Sequence, residues 1–245
     1  PYTTLFRSVR LNALKGNVDL ADTATIDVSG RSPVIGKTKV NTDGGSIDLT
    51  AQQGDINLAS QGSLLLMGQQ GGTLKVTVPH GAFNWQGSIN AKGLAQGGAF
   101  DLAVGSTASA GSLGALGQRL NTSGFTDTIR LASQTGDWTL KANEALTARS
   151  ISLIAQTGSL DVGGTMTAKG AGAAINLQAA SDLKIDGTAS LVAQGTQNQG
   201  GRVTLDGVTQ NNQNPKGITV DSGAKINVIA SDGSSNGQVN FIAAR

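Results

Sequence analysis

Residues 150–195 read SISLIAQTGSLDVGGTMTAKGAGAAINLQAASDLKIDGTASLVAQG, and their spacing decides the fold. Apolar and polar residues alternate in short runs: Ile151-Ser152-Leu153, Leu160-Asp161-Val162, Ile175-Asn176-Leu177 and Leu183-Lys184-Ile185. Alternation at period two makes a strand with one face buried and the other wet. The runs begin at Ile151, Leu160, Met166, Ile175, Leu183 and Leu191, so the pattern returns 24 residues on from Ile151 and 23 on from Leu160. Very short strands with a three-step superperiod predict an all-β chain wound as a right-handed parallel β-helix. In this solenoid each coil carries three short strands joined by bends. At about 25 residues per coil, roughly 9–10 coils are expected.

The same phrase extends in both directions. Gly, any residue, apolar, polar, apolar recurs as GNVDL at 16, GSIDL at 45, GDINL at 54, GTLKV at 72 and GAFDL at 98. It continues as GDWTL at 136, GRVTL at 201 and GQVNF at 237. An antiparallel sandwich would want longer strands and two-residue hairpin signals, yet Asn236-Gly237 is the only Asn-Gly pair. A propeller would need a period nearer ~40 residues.

Composition fits a narrow tube. Gly supplies 35 of 245 residues, and Glu144 is the only Glu against fifteen Asp. That is a vocabulary of tight turns, with the best helix formers scarce. Aromatics make up 3%, so the core must be Ile, Leu, Val and Ala. Eighteen Lys and Arg against sixteen acids leave a net charge of +2 with no basic run, so no nucleic-acid partner is expected. No apolar stretch is long enough to predict a membrane span. Cysteine is absent, which removes disulfides and thiolate metal sites.

Three stretches fall outside the rhythm. Residues 1–8, PYTTLFRS, hold the only Tyr and match the frame translation of the end of a common short-read sequencing adapter. They are set aside as an artefact, and the native part is taken as a single β-helix segment over 9–245, a fragment of a longer protein. Residues 106–127 lack alternation and place Leu113, Leu116 and Leu120 at helical spacing, so a loop excursion with about one helical turn is expected there. A second, polar loop is expected at 209–217, where Pro215 could not donate to a central ladder.

The ordered series of repeats from Gly124 to Gly195, GFTDTIRLASQTGDWTLKANEALTARS followed by the rest of the stretch quoted above, resembles the repetitive shaft of filamentous haemagglutinin-like exoproteins. In style the resemblance covers Val9 to Arg245, and most closely 124–206. It implies a right-handed β-helix, two-partner (type V) secretion through an outer-membrane transporter, and placement outside the cell or on the bacterial surface. The function it implies is a shaft segment that presents a distal binding or toxin domain to a host or neighbouring cell. The stalk of a contact-dependent growth-inhibition effector is the alternative within that class, and a β-helical polysaccharide-degrading enzyme the alternative outside it. The family's secretion domain and any terminal adhesive or toxin domain have no counterpart in these residues, and no Arg-Gly-Asp tripeptide occurs. The receptor, the organism and the flanking domains are not written in the sequence.

Candidate chemistry is sparse, and no catalytic residue, cofactor or metal site is expected. His80 follows Pro79 at a turn without spaced partners. GRSPVIGKT (30–38) has five residues between its glycines where a phosphate loop needs four. GGAFDLAVG (97–105) lacks the third Gly of a calcium nonapeptide, and TMT (165–167) occurs once. Asp19, Asp27, Asp48, Asp101 and Asp161 occupy the middle, outward slot of their strands, where stacked carboxylates could chelate calcium or line a lyase cleft. Trp85, Trp138, Phe83 and Phe100 are scattered, with Trp138 in an inward slot. Carboxylates and a basic residue converging on adjacent coils would favour the enzyme; a mixed polar face would favour the shaft.

Overall fold

A computed structural model describes residues 7–196, 198–207 and 217–243. The described chain is all-β apart from a 3-10 turn and one α-helix, and its short strands stack in parallel as a β-helix. It forms two compact units, Pro1–Ala103 with Thr122–Asp127, and Val104–Asn121 with Thr128–Arg245.

In the first unit, the strands Ser8–Ala13, Ser46–Ala51 and Thr73–Val78 pair in parallel along a first face. Val9, Ile47 and Leu74 stack in register, and so do Leu11, Leu49 and Val76. A second face pairs Val18–Leu20, Ile56–Leu58 and Phe83–Trp85, and a third pairs Thr25–Asp27, Ser63–Leu65 and Ser88–Asn90. Apolar residues of all three faces point into one interior: Ile47, Leu49, Ile56, Leu64, Leu74 and Val76 are fully buried. Like residue sits on like residue because a parallel pair one coil apart repeats the same pleat, so a one-residue slip would turn every aliphatic side chain outward.

The three-strand expectation needs an amendment here. A fourth short strand, Gly68–Gln70, pairs with Gly93–Gln96 in the next coil. Residues 31–42 leave the coil as a hairpin whose strands Val34–Ile35 and Thr38–Lys39 are antiparallel. That hairpin stretches the step between equivalent corners to 38 residues, from Asn17 to Asp55, against 27 for the next pair of coils. The sequence signal was read only as a failed phosphate loop, because two-residue strands carry almost no alternation.

The second unit keeps the simpler three-face coil. Its first face pairs Thr128–Thr135, Ser150–Ala155, Ala174–Ala179, Arg202–Gly207 and Gln238–Ala243, and Ile129, Ile151, Ile175, Val203 and Val239 stack along it. The second face stacks Trp138, Leu160, Leu183 and Ile218. The third stacks Leu146, Met166, Leu191 and Ile226. Stacked partners recur 24 residues apart from Ile151 to Ile175 and 23 from Leu160 to Leu183, as the quoted stretch predicts, and the step lengthens to 28 from Ile175 to Val203 and 36 from Val203 to Val239.

The 106–127 excursion holds more than one helical turn. Thr107–Ala110 is a 3-10 turn, and Leu113–Ser123 is an α-helix of eleven residues, here named α1. Ser112 caps it by accepting from the Ala115 N–H at 3.3 Å. Leu113, Leu116 and Leu120 are 2%, 7% and 0% exposed, so the helical spacing seen in the sequence is the buried stripe. A Cβ on Gly117 would fall 2.6 Å from Leu146 Cδ2 and 2.7 Å from the Ala145 carbonyl; glycine is what lets the helix lie against the strand Ala145–Ala148. The expectation fell short because glycine lowers intrinsic helix propensity, whereas burial of the three leucines sets the helix length.

Two other sequence expectations meet the edges of the description. Of residues 1–8, only Arg7 and Ser8 are described: Ser46 N–H donates to the Arg7 carbonyl at 2.8 Å, and Ser8 pairs with Ser46. The 209–217 loop lies outside the described residues except for Gly217, which opens the strand Gly217–Val220.

Candidate functional site

The outward slots carry whatever chemistry the coils have, because the inward ones are filled with apolar side chains. Asp19, Asp27, Asp48, Asp101 and Asp161 all occupy outward slots, as alternation predicts. They are spread over different faces and coils, and three of them have partners close by. Asn57 Nδ2 donates to Asp19 Oδ1 at 2.6 Å, and Asn84 Nδ2 to Asn57 Oδ1 at 2.7 Å. Arg10 Nε donates to Asp48 Oδ2 at 3.1 Å, and the Ser29 N–H to Asp27 Oδ1 at 2.8 Å.

Around Asp161 several charges converge. Lys184 stacks directly on Asp161 across the second face of the second unit. Its Nζ is paired with Asp186 and lies 3.3 Å from Asp221 Oδ2. Burial raises the Asp161 pKa above the ordinary carboxylate range; the charge of Asp186 adds to the shift and Lys184 partly offsets it. Asp161 Oδ1 is buried without a hydrogen-bond partner. Hydrogen bonds from Lys184 to Asp186, then to Asp221, raise the lysine's own pKa. Sequence reasoning named Asp161 but missed Lys184, Asp186 and Asp221. The 23-residue step from Asp161 to Lys184 was visible, whereas the next step, from Lys184 to Thr219, is 35 residues, which hides the level of Asp221.

Chemically, the cluster is a lysine already neutralised by two carboxylates beside a third that tends to hold its proton. It lies on a strand face, away from the groove described below. Among the described residues, no group of three or more His, Cys, Asp or Glu side chains is arranged to hold a metal ion.

The remaining candidates have structural places. His80 Nδ1 donates to the Gln52 carbonyl at 2.8 Å. The carbonyl can only accept, so the proton sits on Nδ1. Thr157 Oγ1 makes the same contact with the Gln134 carbonyl at 2.7 Å in the second unit, so His80 plays a corner residue's part. Residues 30–38 run into the hairpin rather than a helix N-terminus, so no phosphate cradle forms. Residues 97–105 contain most of the strand Ala99–Ser106, with Phe100 and Leu102 buried. In TMT, Met166 points inward, and Thr167 stacks between Thr147 and Val192, so no threonine array forms. Trp85 and Trp138 are 7% and 2% exposed and offer no platform for a sugar ring.

Among the described residues, no helix is long and apolar enough to cross a membrane. No protein-family model, no curated protein and no solved structure matches the chain.

Proposed function

We propose that these residues are a shaft segment of a large secreted or surface-exposed bacterial exoprotein of the filamentous haemagglutinin-like kind. The segment provides length and rigidity, an outer-membrane transporter exports it, and other parts of the protein meet the host or neighbouring cell. The observation that carries the reading is the in-register aliphatic ladder inside each unit, from Val9 through Ile47 to Leu74 and from Ile129 through Ile175 to Val239. Such a stack gives rigid length from local contacts alone. Around it the outward slots are mixed Asp, Asn, Thr, Lys and Ser. The absence of Cys suits the same route, since a chain threaded unfolded through a pore cannot carry closed disulfides. Spliced in place of native shaft coils in a two-partner exoprotein, residues 9–243 should be exported and leave the distal domain protease-accessible on the cell surface. Periplasmic retention would overturn the proposal.

The Asp161, Lys184, Asp186 and Asp221 cluster favours a second reading, a polysaccharide-degrading β-helix. Against it stand the neutralised lysine and the buried tryptophans. Cleavage of an acidic or neutral polysaccharide by the intact chain, abolished in Asp186→Asn, would establish the enzyme. No release of reducing ends from either class would remove it.

A further inference from the structure

Three successive corners of the second unit, Gly172–Ala174, Asn198–Arg202 and Ser235–Gln238, enclose a groove of about 550 Å³. That volume lies within the ~300–1,000 Å³ of small-ligand sites. The floor is backbone on backbone: a Cβ on Gly237 would fall 2.0 Å from the Gly201 carbonyl, so no side chain fills the space. The rim is polar. Gln199, Arg202, Asn236 and Gln238 are exposed, and the Arg202 guanidinium has no hydrogen-bond or ion-pair partner among the described residues. Ser235 Oγ is buried there without a partner. Asn198 holds a left-handed backbone, φ +62°, with its N–H donating to Ser234 Oγ at 3.2 Å. Such backbone conformations gather where a loop is shaped for binding.

The lining selects its ligand by chemistry. It contains one cation and no carboxylate, so the ligand is anionic. Four side-chain amides line it; Asn198 Oδ1 accepts from Ser234 Oγ at 3.5 Å, and Gln199, Asn236 and Gln238 each offer a donor and an acceptor, which suits paired hydroxyls. The only apolar side chains are Ala173 and Ala174, too small to anchor a hydrophobic peptide residue. We infer that this groove binds a carboxylate-bearing sugar chain of the uronate type. Arg202 takes the carboxylate, and Gln199, Asn236 and Gln238 take the hydroxyls. The inference does not rest on the shaft reading. It concerns a corner of the coil, away from the Asp161 cluster.

Calorimetric titration of the intact chain with tetragalacturonate should give a dissociation constant on the order of 1 mM, as expected for a shallow site without aromatic stacking. Maltotetraose should not bind measurably. Arg202→Gln should weaken tetragalacturonate by about tenfold or more, and Gln238→Ala by less, with unfolding midpoints unchanged. Lys75→Gln, in the first unit, should bind as the parent does. Absence of tetragalacturonate binding would overturn the inference, as would undiminished binding by Arg202→Gln. Equal affinity for tetra-aspartate would also overturn it, by showing an acidic-peptide or bare charge site instead.

Discussion

Asp55 Oδ1 accepts a hydrogen bond from the backbone N–H of Ala82, 27 residues further along the chain, at 2.8 Å. One coil earlier, Asn17 Oδ1 accepts from the N–H of Asp55 itself at 2.9 Å, so Asp55 receives one tie and supplies the next. In the second unit Asp137 Oδ1 accepts from Ser159 N–H at 2.7 Å at the equivalent corner. Backbone ladders along the faces leave corner N–H groups unpaired, and short Asn or Asp side chains satisfy them in the next coil. This is a structural reason for a chain with fifteen Asp and one Glu, since the longer Glu side chain does not suit so tight a corner.

Asp55→Ala should therefore destabilise the first unit by about 1–2 kcal/mol, the cost of leaving a corner N–H without its acceptor. Asp55→Asn keeps a carbonyl oxygen in place and should cost under ~1 kcal/mol. Chemical denaturation of the two variants against the parent checks this. Equal losses would show that the charge, rather than the hydrogen bond, matters at Asp55.

The Asp161 cluster makes stability depend on pH in a definite direction. The folded-state pKa of Asp161 is raised, so at neutral pH the carboxylate is penalised in the fold relative to the unfolded chain. Asp161→Asn should raise stability at pH 7 by about 0.5 kcal/mol, a small figure because the group is partly solvated. The gain should shrink as pH falls through the raised value and vanish below the unfolded value near ~3.9. Lys184→Gln should act oppositely, leaving Asp161, Asp186 and Asp221 facing one another. Its deficit should be largest at neutral pH and fade in acid. Thermal unfolding between pH 3 and 8 tests both, and a pH-independent effect of Asp161→Asn would rule out the electrostatic account.

His80→Ala removes the Nδ1 hydrogen bond to the Gln52 carbonyl and should cost about 0.5–1.5 kcal/mol. Thr, which serves the equivalent corner at Thr157, should recover part of that loss. Full recovery by His80→Asn would show that any short polar side chain suffices at this corner.

What could be read in advance was whatever the repeat imposes on every coil. The buried positions Ile151, Leu153, Leu160, Val162, Met166, Ile175 and Leu183 follow from period-two alternation alone, and so does the inward Trp138. The departures were illegible for separate reasons. The hairpin at 31–42 has two-residue strands, too short to show a period. The strand pair Gly68–Gln70 and Gly93–Gln96 is polar and glycine-rich, and only backbone pairing makes it a strand. The Asp161 cluster joins residues from three coils, and a long connection breaks the step that would have aligned Asp221. Gly172, Gly200 and Gly237 were visible as turn residues, but a groove made by leaving side chains out has no positive signature in sequence.

Helix α1 supplies the last test, because its length depends on packing. Its eleven residues include Gly114 and Gly117, each costing about 1 kcal/mol of helix propensity against Ala, so in isolation the segment should be largely unfolded. Burial of Leu113, Leu116 and Leu120 against the coil offsets that cost. Leu120→Ala should destabilise the second unit by about 2–5 kcal/mol. Gly117→Ala separates the two contributions. Propensity alone predicts a gain of about 1 kcal/mol, but the added methyl would meet Leu146 and the Ala145 carbonyl, so a net loss is expected. Circular dichroism of a 106–127 peptide should show little helix, and denaturation of Gly117→Ala should show lower stability. A stabilised Gly117→Ala would mean that the helix does not lie against Ala145–Ala148 at the closeness described.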